Sequence, residues 1–213
     1  ADMIEIGLPF SDPLADGPTI QSSSTKALKN GMTTKLLFEQ LKSVRNTVSI
    51  PLIIMGYFNP VLQYGVEAFC KKCNEVGIDG LILPDLPLHE YTEHYKAIFE
   101  KHSLSIAFLI TPQTSEERIR EIDKASNSFI YVVSSFGTTG AKTSISYSQK
   151  KYFDKIGALA LKNPQVVGFG VSNAATFNAA TVHAKGAIIG SAFINILTEE
   201  GLDGIPDFIK TIR

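Results

Sequence analysis

A chain of 213 residues, 44 % hydrophobic and 19 % charged, has the length and composition of a globular protein with a sizeable core. A net charge of −1 and a pI near 6.5 argue against partners such as nucleic acid or an anionic membrane. No apolar run reaches the roughly 18 residues of a membrane span, and the two cysteines fit a reducing, cytoplasmic compartment.

The first predicted strand, residues 3–8, carries Glu5 among Met3, Ile4, Ile6 and Leu8. An ionised carboxylate buried in such a strand costs several kcal/mol unless paired or protonated. The strand runs into "FSDPLADGP", where Pro9, Pro13 and Pro18 preset part of the loop's shape. Further apolar runs at 52–57, 80–83, 106–110, 129–133, 166–169 and 186–189 read as strands. They lack polar alternation, which suits parallel strands covered on both faces. Between them lie helical stripes. Val66, Phe69, Cys70, Cys73 and Val76 follow three-and-four spacing up to Gly77, and Leu88, Tyr91, Tyr95, Ile98 and Phe99 do the same. Thr114 with Glu117 reads as a capping box opening the next helix.

Strand and helix alternate about every 20 to 40 residues, the pattern of repeated βα units, and no linker divides the chain, so one domain spanning 1–213 is expected. Seven strands are visible, whereas a closed (β/α)₈ barrel has eight in about 250 residues. An open doubly wound sheet is the competitor. The barrel is favoured because its eighth unit could be an N-terminal one missing ahead of Ala1, and because the phosphate signature falls late in the chain. There is no signal-peptide pattern at the start.

Barrel chemistry sits at the C-terminal ends of strands and in the loops beyond them. Three places fit. The first is Glu5 with Asp12 and Asp16 of the following loop, carboxylates whose surroundings can push their pKa values apart. Isolated Asp-Pro and Asp-Gly pairs are also common turn formers. The second is "VVGFGVSN" followed by "GAIIGSAF": Gly168, Gly170, Gly190 and Ser191 end the last two strands, where barrels often hold a phosphate. The third is the polar segment "YVVSSFGTTGAKTS", suited to a loop that closes over substrate. Cys70 and Cys73 share one apolar stripe and have no second pair, so core packing is expected rather than zinc. His89 and His94 are five apart, unlike a metalloprotease pair.

"IEIGLPFSDPLADGPTIQ" resembles the signature of the tryptophan synthase alpha chain family. The resemblance continues in order through "IIMGYFNP", "GLILPDLPLHE", "FLITPQTSEERI", "GFGVSN" and "AIIGSAF", across essentially the whole chain. It implies a (β/α)₈ barrel that splits indole-3-glycerol phosphate by a retro-aldol reaction into indole and glyceraldehyde 3-phosphate. Glu5 and Asp16 match the family's catalytic pair. Tyr131 matches a tyrosine near the reacting centre, Thr139 a threonine that closes over Asp16, and Gly140, Gly170, Gly190 and Ser191 a phosphate cradle. The family further implies a beta-chain partner in an alpha-beta-beta-alpha heterotetramer, with Asp12 in the region that signals to it. Pyridoxal phosphate belongs to that partner, and no cofactor is expected in this chain.

Family members often read S-x-x-G-V-T-G in the loop after the strand at 129–133. Here the segment is Ser134-Ser135-Phe136-Gly137-Thr138-Thr139-Gly140. A bulky Phe136 there raises a second reading, a weakened lyase that mainly activates its beta partner. A third is another phosphate-binding barrel, such as a sugar-phosphate epimerase or isomerase.

Overall fold

The computed structural model of the chain describes residues 1–134, 146–168 and 170–212. The chain packs as two compact units, one of Ala1–Leu14, Ser24–Phe108 and Ala125–Ser128, the other of Ala15–Ser23, Leu109–Lys124 and Phe129–Arg213.

In the first unit β1 (Ile4–Gly7), β2 (Leu52–Met55), β3 (Gly80–Ile82) and the start of β4 (Ser105–Ile110) pair in parallel and in chain order. Glu5 stands opposite Ile53, Ile53 opposite Gly80, and Gly80 opposite Ser105. Leu52, Ile53 and Ile54 are all buried, as expected of a parallel strand covered on both faces. Helix α1 (Pro18–Lys29) follows the first loop, and α2 (Thr34–Leu41) is capped by the Thr33 hydroxyl, which accepts the Leu36 N–H.

Beyond β2 come α3 (Phe58–Tyr64) and α4 (Val66–Val76). The predicted stripe is the buried face of α4: Phe69, Cys70 and Cys73 are fully enclosed. The two thiols are core residues, as expected, and burial pushes the Cys70 thiol up to about 12. Gly77 ends α4 in the left-handed region at φ +83°, where a glycine is free of Cβ strain. Its carbonyl accepts the Arg45 guanidinium, which also donates to Val48 and Ile50 carbonyls and to the Asp79 carboxylate. Asp79 in turn accepts the Leu52 N–H at 2.7 Å, so one charged cluster staples the starts of β2 and β3.

After β3 the helical stripe is interrupted. It consists of α5 (Leu88–Glu90), a π turn at Tyr91–Tyr95, and α6 (Lys96–Lys101). Tyr91 is fully buried and meets Phe99 and Phe108 edge-on. His89 and His94 pair with glutamates of their own helix rather than with each other.

The second unit contains α7 (Glu116–Ala125, its last residue apart), β5 (Ile130–Val133), α8 (Tyr147–Ala158), β6 (Gln165–Gly168), α9 (Ala174–Thr181), β7 (Gly186–Ala187), α10 (Ser191–Glu199) and α11 (Ile205–Ile212). Its strands pair in parallel, Tyr131 opposite Val166 and Val167 opposite Ala187. The predicted strand 186–189 is shorter than expected, although Ile188 N–H still reaches the Val167 carbonyl at 2.8 Å. The predicted cap of α7 is corrected by one residue. Ser115 accepts the Arg118 N–H, while the Thr114 hydroxyl turns back to the Thr111 N–H. Near the end of α7, the Asp123 carboxylate gathers the N–H groups of Lys162 and Asn163 and the Asn163 amide. Burial opposes ionisation there, but these donors outweigh it and hold the carboxyl below its ordinary range.

Candidate active site

Glu5 is placed by β1, and its Oε1 is shut off from solvent with no hydrogen-bond partner among the described residues. Burial alone lifts the carboxyl from 4.5 to about 7. The residue as a whole is only partly enclosed, with Oε1 among its sheltered atoms. A carboxyl balanced near neutrality can give up and take back a proton with little bias either way. In a strand of Ile and Leu this acid loses solvation and gains proton affinity.

The loop leaving β1 is tied down early. Leu8 N–H donates to the Met55 carbonyl at 2.8 Å, and Ser24 grips the Phe10 backbone through both its hydrogen-bonding groups. Past that point the loop faces water. Asp12 is exposed and accepts the Ser11 hydroxyl, and Leu14 is 88 % exposed.

The second unit holds Asp16, Tyr131 and the glycine turns. Asp16 is buried, and its backbone carbonyl accepts the Gln21 amide at 2.8 Å. Tyr131 is enclosed on β5 and packs closely against Gly168 at the end of β6. A Cβ on Gly168 would overlap both its ring and its hydroxyl. That close approach explains the glycine: any other residue would displace the tyrosine. The Ile188–Val167 hydrogen bond sets the ends of β6 and β7 side by side, with Gly170 (φ +81°) in one following turn and Gly190 in the other. Thr139 and Gly140, together with Phe136, lie outside the described residues.

The two helices after these turns differ in what their first N–H groups do. At α9, Ser172 and Asn173 N–H donate to the Thr176 hydroxyl, and Thr176 N–H donates to the Asn173 side chain. Those donors are already used by the helix's own cap. At α10 the cap position is Gly190, which has no side chain to supply an acceptor, and the first helical residue, Ser191, is buried. Backbone donors and a hydroxyl at a helix start of this kind suit a phosphate. Ile20, close after Asp16 in the chain, comes to 3.9 Å from where a Gly190 Cβ would stand.

Sequence reasoning passed over one group here. Asp85, between two prolines after β3, accepts the Phe58 N–H with its carboxylate. The signal was legible as an acid in "LPDLP", rigid on both sides. Among the described residues, no cluster of His, Cys, Asp or Glu could hold a metal ion, and no helix is long and apolar enough to cross a membrane.

Comparison with known proteins follows the same lines. The family model for the tryptophan synthase alpha chain matches residues 1–208. A tryptophan synthase alpha chain from Flavobacterium psychrophilum is 67 % identical over 211 residues, covering 99 % of this chain and 83 % of the relative. Among solved structures, a mutant tryptophan synthase alpha-subunit from the hyperthermophile Pyrococcus furiosus is similar with a TM-score of 0.87 at 33 % identity, covering 99 % of this chain and 84 % of that one. A chain of the tryptophan synthase complex of the same organism gives 0.84 at 31 % identity, with the same two coverages. With this fold class, a (β/α)₈ barrel, and identity spread over nearly its whole length, the chain belongs to the tryptophan synthase alpha chain family, the indole-3-glycerol phosphate lyase half of that synthase.

Proposed function

We propose that Glu5 is the proton-handling group of the cleavage. Its carboxyl, held near neutrality by burial and with Oε1 shut off from solvent and without a partner among the described residues, is the observation that supports this reading. The protonated acid delivers its proton to C3 of the indole ring, which leaves the ring cationic. The resulting carboxylate removes the proton from the hydroxyl on the adjacent glycerol carbon. The bond from C3 to that carbon breaks, and its electron pair returns to the ring. Indole and glyceraldehyde 3-phosphate separate, with the proton back on Glu5.

Asp16, as a carboxylate, accepts the indole N–H and offsets the positive charge of the cationic ring. Tyr131, fixed over Gly168, is assigned to the reacting centre on the family resemblance. Gly170, Gly190 and Ser191 hold the phosphate, with the N-terminus of α10 supplying donors that α9 spends on its own cap. Thr139 and Gly140 are assigned on the family resemblance alone. The reaction takes place in the cytoplasm on a chain docked through the Asp12 loop to a beta partner, as an alpha-beta-beta-alpha heterotetramer. Pyridoxal phosphate sits in that partner.

Gly190→Asp tests the phosphate assignment. Among the described residues a Cβ there meets only Ile20, at 3.9 Å, an ordinary contact distance. The new carboxylate would oppose the dianion, and KM for indole-3-glycerol phosphate should rise at least about 10²-fold. Inhibition by glycerol 3-phosphate should weaken in parallel. If both stay within about twofold of the parent chain, the phosphate is held elsewhere.

A further inference from the structure

Both carboxylate oxygens of Asp85 accept the Phe58 N–H, at 2.8 and 3.0 Å. Phe58 opens α3, and Tyr57, at the cap position, is extended (φ −102°, ψ 153°) with no side-chain cap of its own. Asp85 therefore brings to α3, from a different strand's loop, the acceptor the helix lacks locally.

What this cap fixes packs against the loop that leaves Glu5's strand. Tyr57 is buried, and its ring packs on Phe10 with centroids 5.4 Å apart. On its other side Phe58 meets Tyr95 edge-on at 4.9 Å. Phe10 opens the loop leaving Glu5's strand, and the Ser24 hydroxyl holds it, accepting its N–H at 3.0 Å and donating to its carbonyl at 3.1 Å. The strand ends beneath cannot slide. Gly56 N–H bonds the Ile82 carbonyl at 3.1 Å, and a Cβ on Gly56 would come within 2.8 Å of Leu8 Cβ. The loop that carries Asp12 is thus joined to the end of β3 by one capping contact and one ring pair.

We propose that Asp85 is a positioning residue for the lyase reaction: by capping α3 it holds Tyr57 against Phe10, and so fixes the loop that leaves the strand of Glu5. The proposal rests on Glu5 carrying the chemistry. It assigns Asp85 no contact with substrate.

The test is a double-mutant cycle on the full-length chain, alone and with its beta partner. Asp85→Ala should lower kcat by about 10-fold to 10²-fold, the scale of a loop misplaced by about 1 Å, with KM changed less than about threefold. Asp85→Asn, which keeps one acceptor oxygen for the Phe58 N–H, should recover most of the loss. In a Tyr57→Leu background, Asp85→Ala should cost less than about twofold more, since both act through one contact. A residue serving stability alone behaves differently. Asp85→Ala would then lower the melting temperature while kcat per folded chain stayed within about twofold, or its loss would multiply with that of Tyr57→Leu; either result overturns the proposal. Should Asp85→Ala not fold, Asp85→Ser carries the same comparison. Glu5→Gln is the control: full activity there overturns the reading of Glu5, while the Asp85 cycle is still scored on parental kcat.

Discussion

Glu5→Gln lowers kcat for indole-3-glycerol phosphate cleavage by about 10²-fold to 10⁴-fold, the range of a lost general acid–base group, and leaves KM within about threefold. Gln keeps the shape of the side chain and cannot pass a proton. The same substitution has an opposite effect on stability. The parental carboxyl titrates at about 7 in the fold against 4.5 when solvated, so the folded chain binds the proton more tightly. Stability arising from that proton is fully present below pH 4.5 and is lost as pH rises through 7, with a span of about 3 kcal/mol. Gln does not ionise, so the variant escapes the loss. Urea unfolding at pH 4 and at pH 8.5 should show the variant gaining on the parent by about that amount at the higher pH. Comparing the two pH values cancels whatever the buried amide itself costs. A variant whose stability follows the parental pH dependence would mean that Glu5 ionises freely.

Gly168→Ala carries the second large effect. The added methyl would occupy space now filled by the Tyr131 ring and hydroxyl, so the ring must leave its place. Overpacking of this kind costs about 1 to 3 kcal/mol. If Tyr131 has the role proposed for it, the catalytic loss should be larger in proportion, about 10²-fold in kcat/KM. Thermal unfolding and steady-state kinetics on one preparation separate the two. Trimming the ring should relieve the clash, so Tyr131→Phe, which removes only the hydroxyl, should not rescue Gly168→Ala, whereas Tyr131→Ala should restore its stability relative to Tyr131→Ala alone. Full activity in Gly168→Ala would show that Tyr131 has no part in the reaction.

The two acids that matter most differ in how they could be read. Glu5 was legible because Ile4-Glu5-Ile6 sets a charge inside a strand, a local conflict with the fold that calls for a chemical reason. Its proton affinity was not legible, since burial is set by neighbours far apart in the chain. The strands and the α4 stripe follow from apolar runs and three-and-four spacing, which are local properties. The π turn at Tyr91–Tyr95 left no trace in that spacing. The α7 cap fell on Ser115 rather than Thr114 because two adjacent hydroxyls competed and tertiary geometry chose. Likewise the glycine turns looked alike in sequence. Only the Asn173–Thr176 cap shows that α9's donors are spent while α10's first turn has a glycine in the cap position. Asp85 was hidden because its partner, Phe58, is 27 residues away.

The family assignment favours the lyase over an epimerase or isomerase, and the proposed mechanism turns on the proton affinity of Glu5. The most direct test is to follow the Glu5 side-chain carboxyl by ¹³C NMR across pH 3 to 9, with Glu5→Gln identifying the resonance. A midpoint near 7 is predicted. A midpoint at the ordinary glutamate value of about 4.5 would contradict the account, because the side chain would then be a solvated carboxylate with no proton to deliver.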